Sequence, residues 1–280
     1  MARIILPQRW TRQPQMAMRV NSSHPLARDL IEFGYVLGGH NPISAMPGLV
    51  DKPSLAGTTD SVATPHGLGI NTNGTDNYID LGRNLSASSV VATGIVRTTL
   101  PDPLVASIAF TTASQSGANY VGHFLQLSAA GAIQGYYGNG GGTATANYKR
   151  AASPTGLVVA GPNTIAFVCR AATDWSLYKD GVSTGTPSYV GNATSHAAGT
   201  ANGTINFRSA VALYGSQSAS SWAFFNRALT DAEILELYVA PFQILQPIRR
   251  RVFVAFASAA GGKASPFQRM GASFQHMLVR

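Results

Sequence analysis

A short segment around residue 230 fixes where the clearest helix of this chain begins and ends. The run Ser221–Tyr238 predicts a strand, a turn at Asn226–Arg227 and then a compact helix. Thr230 and Glu233 have the spacing of a capping box, in which each side chain satisfies a backbone N–H of the other residue. Pro241 ends the helix, because proline lacks the N–H that helical hydrogen bonding needs. One well-capped helix after a long stretch without helical periodicity indicates an all-β domain closed by a helix.

Alternation of apolar and polar residues dominates the rest of the chain. It predicts short strands at Tyr78–Leu81, Val90–Val96, Leu104–Phe110, Val121–Leu127, Ile133–Tyr137, Leu157–Val159, Thr164–Arg170, Trp175–Lys179, Ile205–Phe207 and Trp222–Phe225. Asp180–Gly181 lies between two of these runs and predicts a type I′ hairpin, because both central positions of that turn need positive φ. Strands without intervening helices favour two packed antiparallel sheets over a parallel βαβ arrangement.

Three motifs, in order along the chain, resemble those of laminin-G-like, concanavalin A-like domains. Gly67–Gly82 is similar to the segment that forms the first paired strands of that family, and Trp175–Gly185 is similar to its central hairpin. Ser221–Tyr238 resembles its closing strand and helix. The resemblance implies an all-β jelly-roll sandwich with one short helix.

Two further phrases resemble sequences that flank such domains in bacteriophage virion proteins. They are Asn21-Ser-Ser-His-Pro-Leu-Ala27 and Ala240-Pro-Phe-Gln-Ile-Leu-Gln-Pro247. This resemblance implies a virion structural protein, displayed on the capsid, collar or tail, whose partners are other virion proteins and copies of itself. The alternative is a carbohydrate-binding adhesin that recognises a host-surface glycan.

The positive charge of the chain is concentrated at its two ends. The net charge is +3 in residues 1–46, −1 in residues 47–240 and +6 in residues 241–280, which contain no acidic residue. We therefore expect three parts: an extended N-terminal arm in residues 1–46, the sandwich in residues 47–247, and a basic, apolar C-terminal arm in residues 248–280.

The arms contain the residues expected to tether the sandwich in an assembly. These are Trp10, Arg249, Arg250, Arg251, Phe253 and Phe256. Arginine mixed with apolar side chains is typical of protein interfaces, which favours a protein partner over a solvated tail, nucleic acid or anionic lipid. The longest apolar run, Val252–Ala260, is much shorter than the roughly 20 residues of a membrane-spanning helix.

No residue pattern predicts catalysis. Glycoside hydrolysis needs two carboxylates about 5–9.5 Å apart across the scissile bond, and the closely spaced Glu233 and Glu236 belong to the capped helix. The six histidines show no catalytic or zinc-binding spacing. Cys169 lies in an apolar strand, which is typical of a small core residue. We expect no enzyme activity and no catalytic residues.

Two binding hypotheses remain, each with a purely structural alternative. Asp76 and Asn77 resemble the acidic pair that pentraxin-like jelly rolls contribute to a calcium site, but Ala129–Tyr148 lacks the second acidic cluster, and an Asx turn explains the pair equally well. We therefore expect no cofactor, and calcium is the alternative. Glycan binding needs aromatic platforms with polar neighbours, which Tyr136, Tyr137, Asn139 and Tyr148 could supply. The same residues could instead be strand-end packing.

Overall fold

The computed structural model describes most of the chain between residues 11 and 247. The described ranges are 11–16, 18–37, 41–46, 53–56, 60–72, 77–85, 89–113, 119–142, 144–208, 213–214 and 217–247.

Twenty-one short strands and one nine-residue α-helix are assigned in these ranges. The first strands are β1 Met18–Val20, β2 Leu30–Leu37, β3 Asn41–Ser44, β4 Ser54–Ala56, β5 Asp60–Thr64, β6 Gly67–Asn71, β7 Tyr78–Asp80, β8 Ala92–Leu100, β9 Ser107–Thr111 and β10 His123–Leu127. They are followed by β11 Ile133–Gly138, β12 Tyr148–Ala152, β13 Gly161–Ala171, β14 Asp174–Lys179, β15 Val182–Ser183, β16 Ser188–Val190, β17 Thr204–Ile205, β18 Phe207–Arg208, β19 Leu213–Tyr214, β20 Ser218–Phe225, α1 Asp231–Val239 and β21 Leu245–Pro247. The predicted strand at Leu157–Val159 is wrong, because that stretch is a loop.

Two large antiparallel sheets form the body of the domain. The eight-stranded sheet has the order β16-β12-β11-β10-β9-β17-β7-β4, and the nine-stranded sheet has the path β15-β14-β13-β8-β20-β2-β3 with β6 and β5 branching from β20. Side chains from both sheets meet in one core that includes Phe110, Phe167, Trp222 and Phe224. The rings of Phe110 and Phe224, one from each sheet, are 5.5 Å apart. This confirms the predicted jelly-roll β-sandwich.

The outer face of the nine-stranded sheet is buried by the end of the domain, and we call it the covered face. Ile234 and Leu237 of α1 and Phe242 of the following segment pack into a second core on this face. The Phe242 ring is 6.2 Å from Phe33 and 6.0 Å from Tyr35, in edge-on contacts. Every residue of β20 is therefore buried, because this strand has apolar layers on both sides.

The start of α1 has the predicted capping box. The Thr230 hydroxyl accepts from the Glu233 N–H, and the Glu233 carboxylate accepts from the Thr230 N–H. Arg227 also holds Glu233 through two bonds of 2.8 and 3.0 Å. The hydrogen bonds from Arg227 are the main reason that the pKa of Glu233 falls to about 2. Contacts among residues close in sequence therefore fix where α1 begins after β20.

The predicted hairpin is also confirmed. Asp180 and Gly181 have φ of 51° and 80°, as a type I′ turn requires. The Asp180 carboxylate accepts from the Thr164 N–H at 2.8 Å, which ties the turn to β13.

The N-terminal boundary of the sandwich corrects the prediction of an arm over residues 1–46. β2 is hydrogen-bonded between β20 and β3, and β1 pairs with β21. Between them, His24 caps the short 3-10 helix Pro25–Ala27. β2 was missed because its sequence is almost continuously apolar, as expected for a strand buried on both faces.

Candidate functional site

The outer face of the eight-stranded sheet has an aromatic cluster at its centre. Phe124 of β10 and Tyr136 of β11 are direct cross-strand partners. Their rings are stacked with centroids 4.3 Å apart and planes 13° apart. Their neighbours Leu125 and Tyr137 belong to the core between the sheets, because successive side chains of a strand point to opposite faces.

Two more tyrosines extend this cluster. Tyr120 stacks on Phe124 at 5.6 Å, and Tyr148 at the start of β12 lies 5.0 Å from Tyr120 and 6.0 Å from Tyr136. We call Tyr120, Phe124, Tyr136 and Tyr148 the aromatic face. Phe124 is fully buried and Tyr136 is 6% exposed, whereas Tyr120 and Tyr148 are half-buried. The two half-buried rings are therefore the ones that present surface to a ligand.

Arg150 places a positive charge against the aromatic face. It lies on β12 directly opposite Tyr136, two residues after Tyr148 and thus on the same side of the sheet. Its guanidinium carbon is 5.9 Å from the centre of the Tyr136 ring, within the range of a cation–π interaction. Nη1 lies 3.5 Å from the Tyr136 hydroxyl, which itself donates to Gln134 at 2.9 Å.

A glycine-rich turn after β11 lies beside the aromatic face and contacts Tyr120. The Asn139 side chain accepts from the Gly141 N–H at 3.0 Å, and Asn147 donates to the Gly141 carbonyl at 2.7 Å. A side chain at Gly138 would collide with the backbone and Cβ of Tyr120. Glycine at this position therefore allows Tyr120 to approach the sheet closely.

The four predicted glycan-binding residues do not form one group. Tyr136 and Tyr148 meet on the aromatic face, and Asn139 lies in the turn beside it. Tyr137 is a correction: its ring is in the core, stacked 5.9 Å from Trp175, and its hydroxyl donates to the Ala193 carbonyl at 2.8 Å. Burial raises the pKa of Tyr137 to about 12.

Sequence reasoning missed Tyr120, Phe124 and Arg150. Arg150 was recognisable in principle, because a spacing of two from Tyr148 in a strand places both on one face. Phe124 and Tyr120 depend on the register between strands and on the path of a loop, which no local pattern records.

The predicted calcium pair is only partly within the described residues. Asp76 lies outside them, and Asn77 is 4% exposed beside β7. Across the described ranges, no group of three or more His, Cys, Asp or Glu side chains could hold a metal ion. The calcium site stays a prediction.

The predicted tethering residues also lie outside the described ranges. They are Trp10, Arg249, Arg250, Arg251, Phe253 and Phe256.

Two histidines are stacked in the interior beneath the aromatic face. His123 is fully buried, its Nε2 lies 2.9 Å from the Val90 carbonyl, and its ring is 4.5 Å from that of His196. Burial lowers the pKa of His123 to about 3 and that of His196 to about 4. Cys169 is buried in the same core, as predicted, and burial raises the pKa of its thiol. His123 and Cys169 are thus neutral groups in the interior, and the half-buried His196 is a neutral ring stacked beside them.

The described carboxylates with the strongest contacts are held by structural partners. Glu32 is buried against Arg83, Glu233 is held by Arg227, and Asp231 accepts from the Tyr178 hydroxyl at 2.6 Å.

In the described part of the chain, no helix is long and apolar enough to cross a membrane.

Comparisons with known proteins show the fold. No protein-family model and no curated protein matches the chain. The receptor-binding domain of botulinum neurotoxin C/D mosaic serotype is similar in structure, with a TM-score of 0.56 and 10% identity over 75% of this chain and 51% of that one. Trypanosoma rangeli sialidase with 2,3-difluorosialic acid gives a TM-score of 0.52 and 12% identity over 78% of this chain and 34% of the sialidase. The same sialidase with sialic acid gives 0.51 and 16% over 82% and 37%.

The chain thus spans about half or less of each of these solved structures. At such low identity the similarity is one of fold. It agrees with the two sheets, the shared core and the single described helix, and identifies the domain as a jelly-roll β-sandwich.

Proposed function

We propose that this chain is a non-enzymatic structural protein of a bacteriophage virion, with the sandwich displayed outward and its terminal segments bound to neighbouring subunits. One structural observation supports this role beyond the sequence resemblance. β1 and β21 pair antiparallel, with Met18 directly opposite Pro247. The segments before β1 and after β21 are therefore attached side by side to one two-stranded ribbon, which we call the β1–β21 edge. Within residues 1–17, Gln13 is buried on the sandwich, where its amide donates to the Leu68 and Ser220 carbonyls.

The charge distribution fits a tether at that edge. Residues 1–17 contain three arginines and residues 248–280 contain six basic residues, and neither segment contains an acid. Residues 18–247 contain eleven Lys and Arg against twelve Asp and Glu. The sandwich is almost neutral, whereas the two segments attached at its edge are strongly basic and rich in apolar residues. A neighbouring virion subunit with an acidic rim and an apolar groove fits both properties.

Loss of the C-terminal segment tests the tether. Deleting residues 248–280 leaves β21 intact, so we expect a folded sandwich that is absent from purified particles when their protein content is measured by mass spectrometry. The triple variant Arg249→Gln, Arg250→Gln, Arg251→Gln should reduce incorporation. The matched control replaces the exposed Arg28 and the half-buried Arg170, which lie outside β1 and β21, by Gln and should incorporate normally. Normal copy number of the truncated protein would contradict the C-terminal tether.

The non-enzymatic part of the proposal is supported by the carboxylates. The described acids with strong contacts cap a helix, close a hairpin or pair with arginine, and the aromatic face contains no acid. We expect no release of reducing ends from host polysaccharides. Activity that disappears when an Asp or Glu of this chain is replaced would overturn this part.

Glycan binding at the aromatic face is the second candidate function, and it is compatible with the first. Half-buried Tyr120 and Tyr148 beside amide side chains and one arginine are the mixture of apolar walls and few polar groups typical of ligand sites. Among the structural neighbours, the botulinum fragment is described as a receptor-binding domain and the sialidase was solved with sialic acid. Tyr148→Ala should abolish binding of host-surface polysaccharide, whereas Tyr189→Ala, on the core side of the sheet, should not.

A further inference from the structure

We infer that the aromatic face binds a carboxylate-bearing sugar, with Arg150 pairing with the carboxylate and Tyr148 stacking against the ring. This inference rests on the glycan-binding role proposed above and specifies the chemical class of the glycan. The observation that carries it is a half-buried arginine, next to aromatic rings, that has no acidic partner among the described residues.

The strands nearest to Arg150 contain no acidic residue. The sequence has no Asp or Glu between Asp102 and Asp174, a stretch that includes β9, β10, β11 and β12. The neighbouring strand β16 is also free of acids. A carboxylate approaching this part of the sheet therefore meets a positive charge and no repulsive group on these strands.

Three other buried or half-buried arginines of the described residues have better partners. Arg83 and Arg227 pair with Glu32 and Glu233, and Arg97 donates to the Tyr238 carbonyl at 2.7 Å at the end of α1. Arg150 has instead a 3.5 Å contact with the Tyr136 hydroxyl, the outer limit of a hydrogen bond. Its Nε is buried without an acceptor, as are those of Arg83 and Arg97. A half-buried charge with so little compensation favours an anionic ligand.

Guanidinium chemistry selects a planar oxyanion. The fork of Arg N–H groups matches the two oxygens of a carboxylate, and such charge-assisted pairs are stronger than neutral hydrogen bonds. The surrounding rings lower the local dielectric, so the pair is worth more here than in open water.

The same face supplies groups for the rest of a sugar. The half-buried Tyr148 ring offers an apolar surface for the C–H side of a pyranose, with Tyr120 beside it at 5.0 Å. Gln126 and Gln134 are cross-strand partners one step further along the same face, and both are half-buried. Their amide groups are suited to sugar hydroxyls.

The decisive experiment compares each acidic sugar with its own methyl ester on the full-length protein. The probes are a sialyl trisaccharide and a galacturonate trisaccharide, each as the free acid and as the methyl ester, measured by calorimetric titration. The two pairs separate the two common sources of a sugar carboxylate. We expect at least one acid to bind about tenfold to a hundredfold more tightly than its ester, because a charged hydrogen-bonded pair contributes on that scale. The preference should weaken as salt is added.

Variants assign the preference to Arg150. Arg150→Gln should remove the difference between acid and ester, and Arg150→Lys should keep part of that difference because the charge remains without the planar fork. Lys149→Gln is the matched control: the neighbouring lysine of the same strand donates instead to the Gly191 carbonyl at 2.9 Å. Thermal unfolding of each variant checks that the fold is retained.

The possible results distinguish recognition of a carboxylate from glycan binding in general. Equal, Tyr148-dependent binding of acid and ester would overturn the carboxylate inference and leave glycan binding intact. An acid preference that survives in Arg150→Gln would overturn it as well. Absence of binding for all four probes would overturn the inference and the glycan-binding proposal together.

Discussion

The two outer faces of the sandwich follow the same strand pleat but have different environments. On the covered face, Phe33 and Tyr35 are sealed by Phe242 and the helix that precedes it. On the aromatic face, Tyr120 and Tyr148 keep part of their surface exposed, and Arg150 beside them pairs with no carboxylate of the described chain. Apolar side chains on the outside of a sheet therefore serve two purposes here: in one place they attach the end of the chain, and in the other they form a candidate ligand surface.

The largest expected effect is on the covered face. Phe242→Ala should lower the free energy of unfolding by about 3–5 kcal/mol, because it removes a buried ring from the contact between the chain end and the nine-stranded sheet. Denaturant unfolding measures this, and hydrogen exchange should show lost protection in α1. A loss below about 1 kcal/mol would mean that the segment after α1 contributes little.

Acid should loosen the half of the sandwich beneath the aromatic face first. His123 and His196 have pKa values of about 3 and about 4 when folded, against 6.5 for an ordinary histidine. Their contribution to stability is complete above pH 6.5 and is lost as pH falls toward the folded values, because only the unfolded state gains protons there. Each histidine should remove up to about 2 kcal/mol between pH 6.5 and 5.

We expect this loss of stability to be confined to the loop that contains His196 and to the strands it contacts. Ala197, the next residue, donates to the Gly138 carbonyl at 2.9 Å and accepts from the Gly122 N–H at 2.8 Å, so its loop is attached to β11 and to the segment before β10. The double variant His123→Gln, His196→Gln should show a flatter stability profile between pH 7.5 and 5. If its slope equals that of the unaltered protein, other groups cause the acid sensitivity.

The cap of α1 gives a smaller effect at lower pH. Since the pKa of Glu233 is about 2 instead of 4.5, its stabilisation is complete above pH 4.5 and is lost as pH falls toward 2. Glu233→Gln should cost about 1–2 kcal/mol at pH 7 and remove this acid dependence. Asp174→Asn, which breaks the exposed pair with Arg170, should cost about 0.5 kcal/mol or less. Equal losses in both variants would contradict a special role for the cap.

Only a small stability effect is expected on the aromatic face. Tyr148→Ala should change the free energy of unfolding by about 1 kcal/mol, because its ring is only half-buried. Its main consequence should be the loss of sugar binding. A loss of stability comparable to that of Phe242→Ala would show that the aromatic face is a core and would remove its distinction from the covered face.

Local chemistry explains which parts of the structure were predictable from the sequence. The capping box of Thr230 and Glu233 and the turn at Asp180 and Gly181 are short-range signals, and both are present as predicted. β2 was missed because a strand buried on both faces shows no alternation. Tyr136 and Tyr137 are adjacent and equally aromatic, so only the register of β11 within the sheet decides which of them is in the core.

A density map of the intact particle tests the central claim most directly. The claim is that the edge formed by β1 and β21 is the attachment point and that the aromatic face stays open. We expect density from neighbouring subunits around residues 1–10 and 248–280, with Tyr120, Tyr148 and Arg150 facing solvent. A map in which a neighbouring subunit buries Tyr148 and Arg150, or in which both terminal segments make no contact with another subunit, would contradict it.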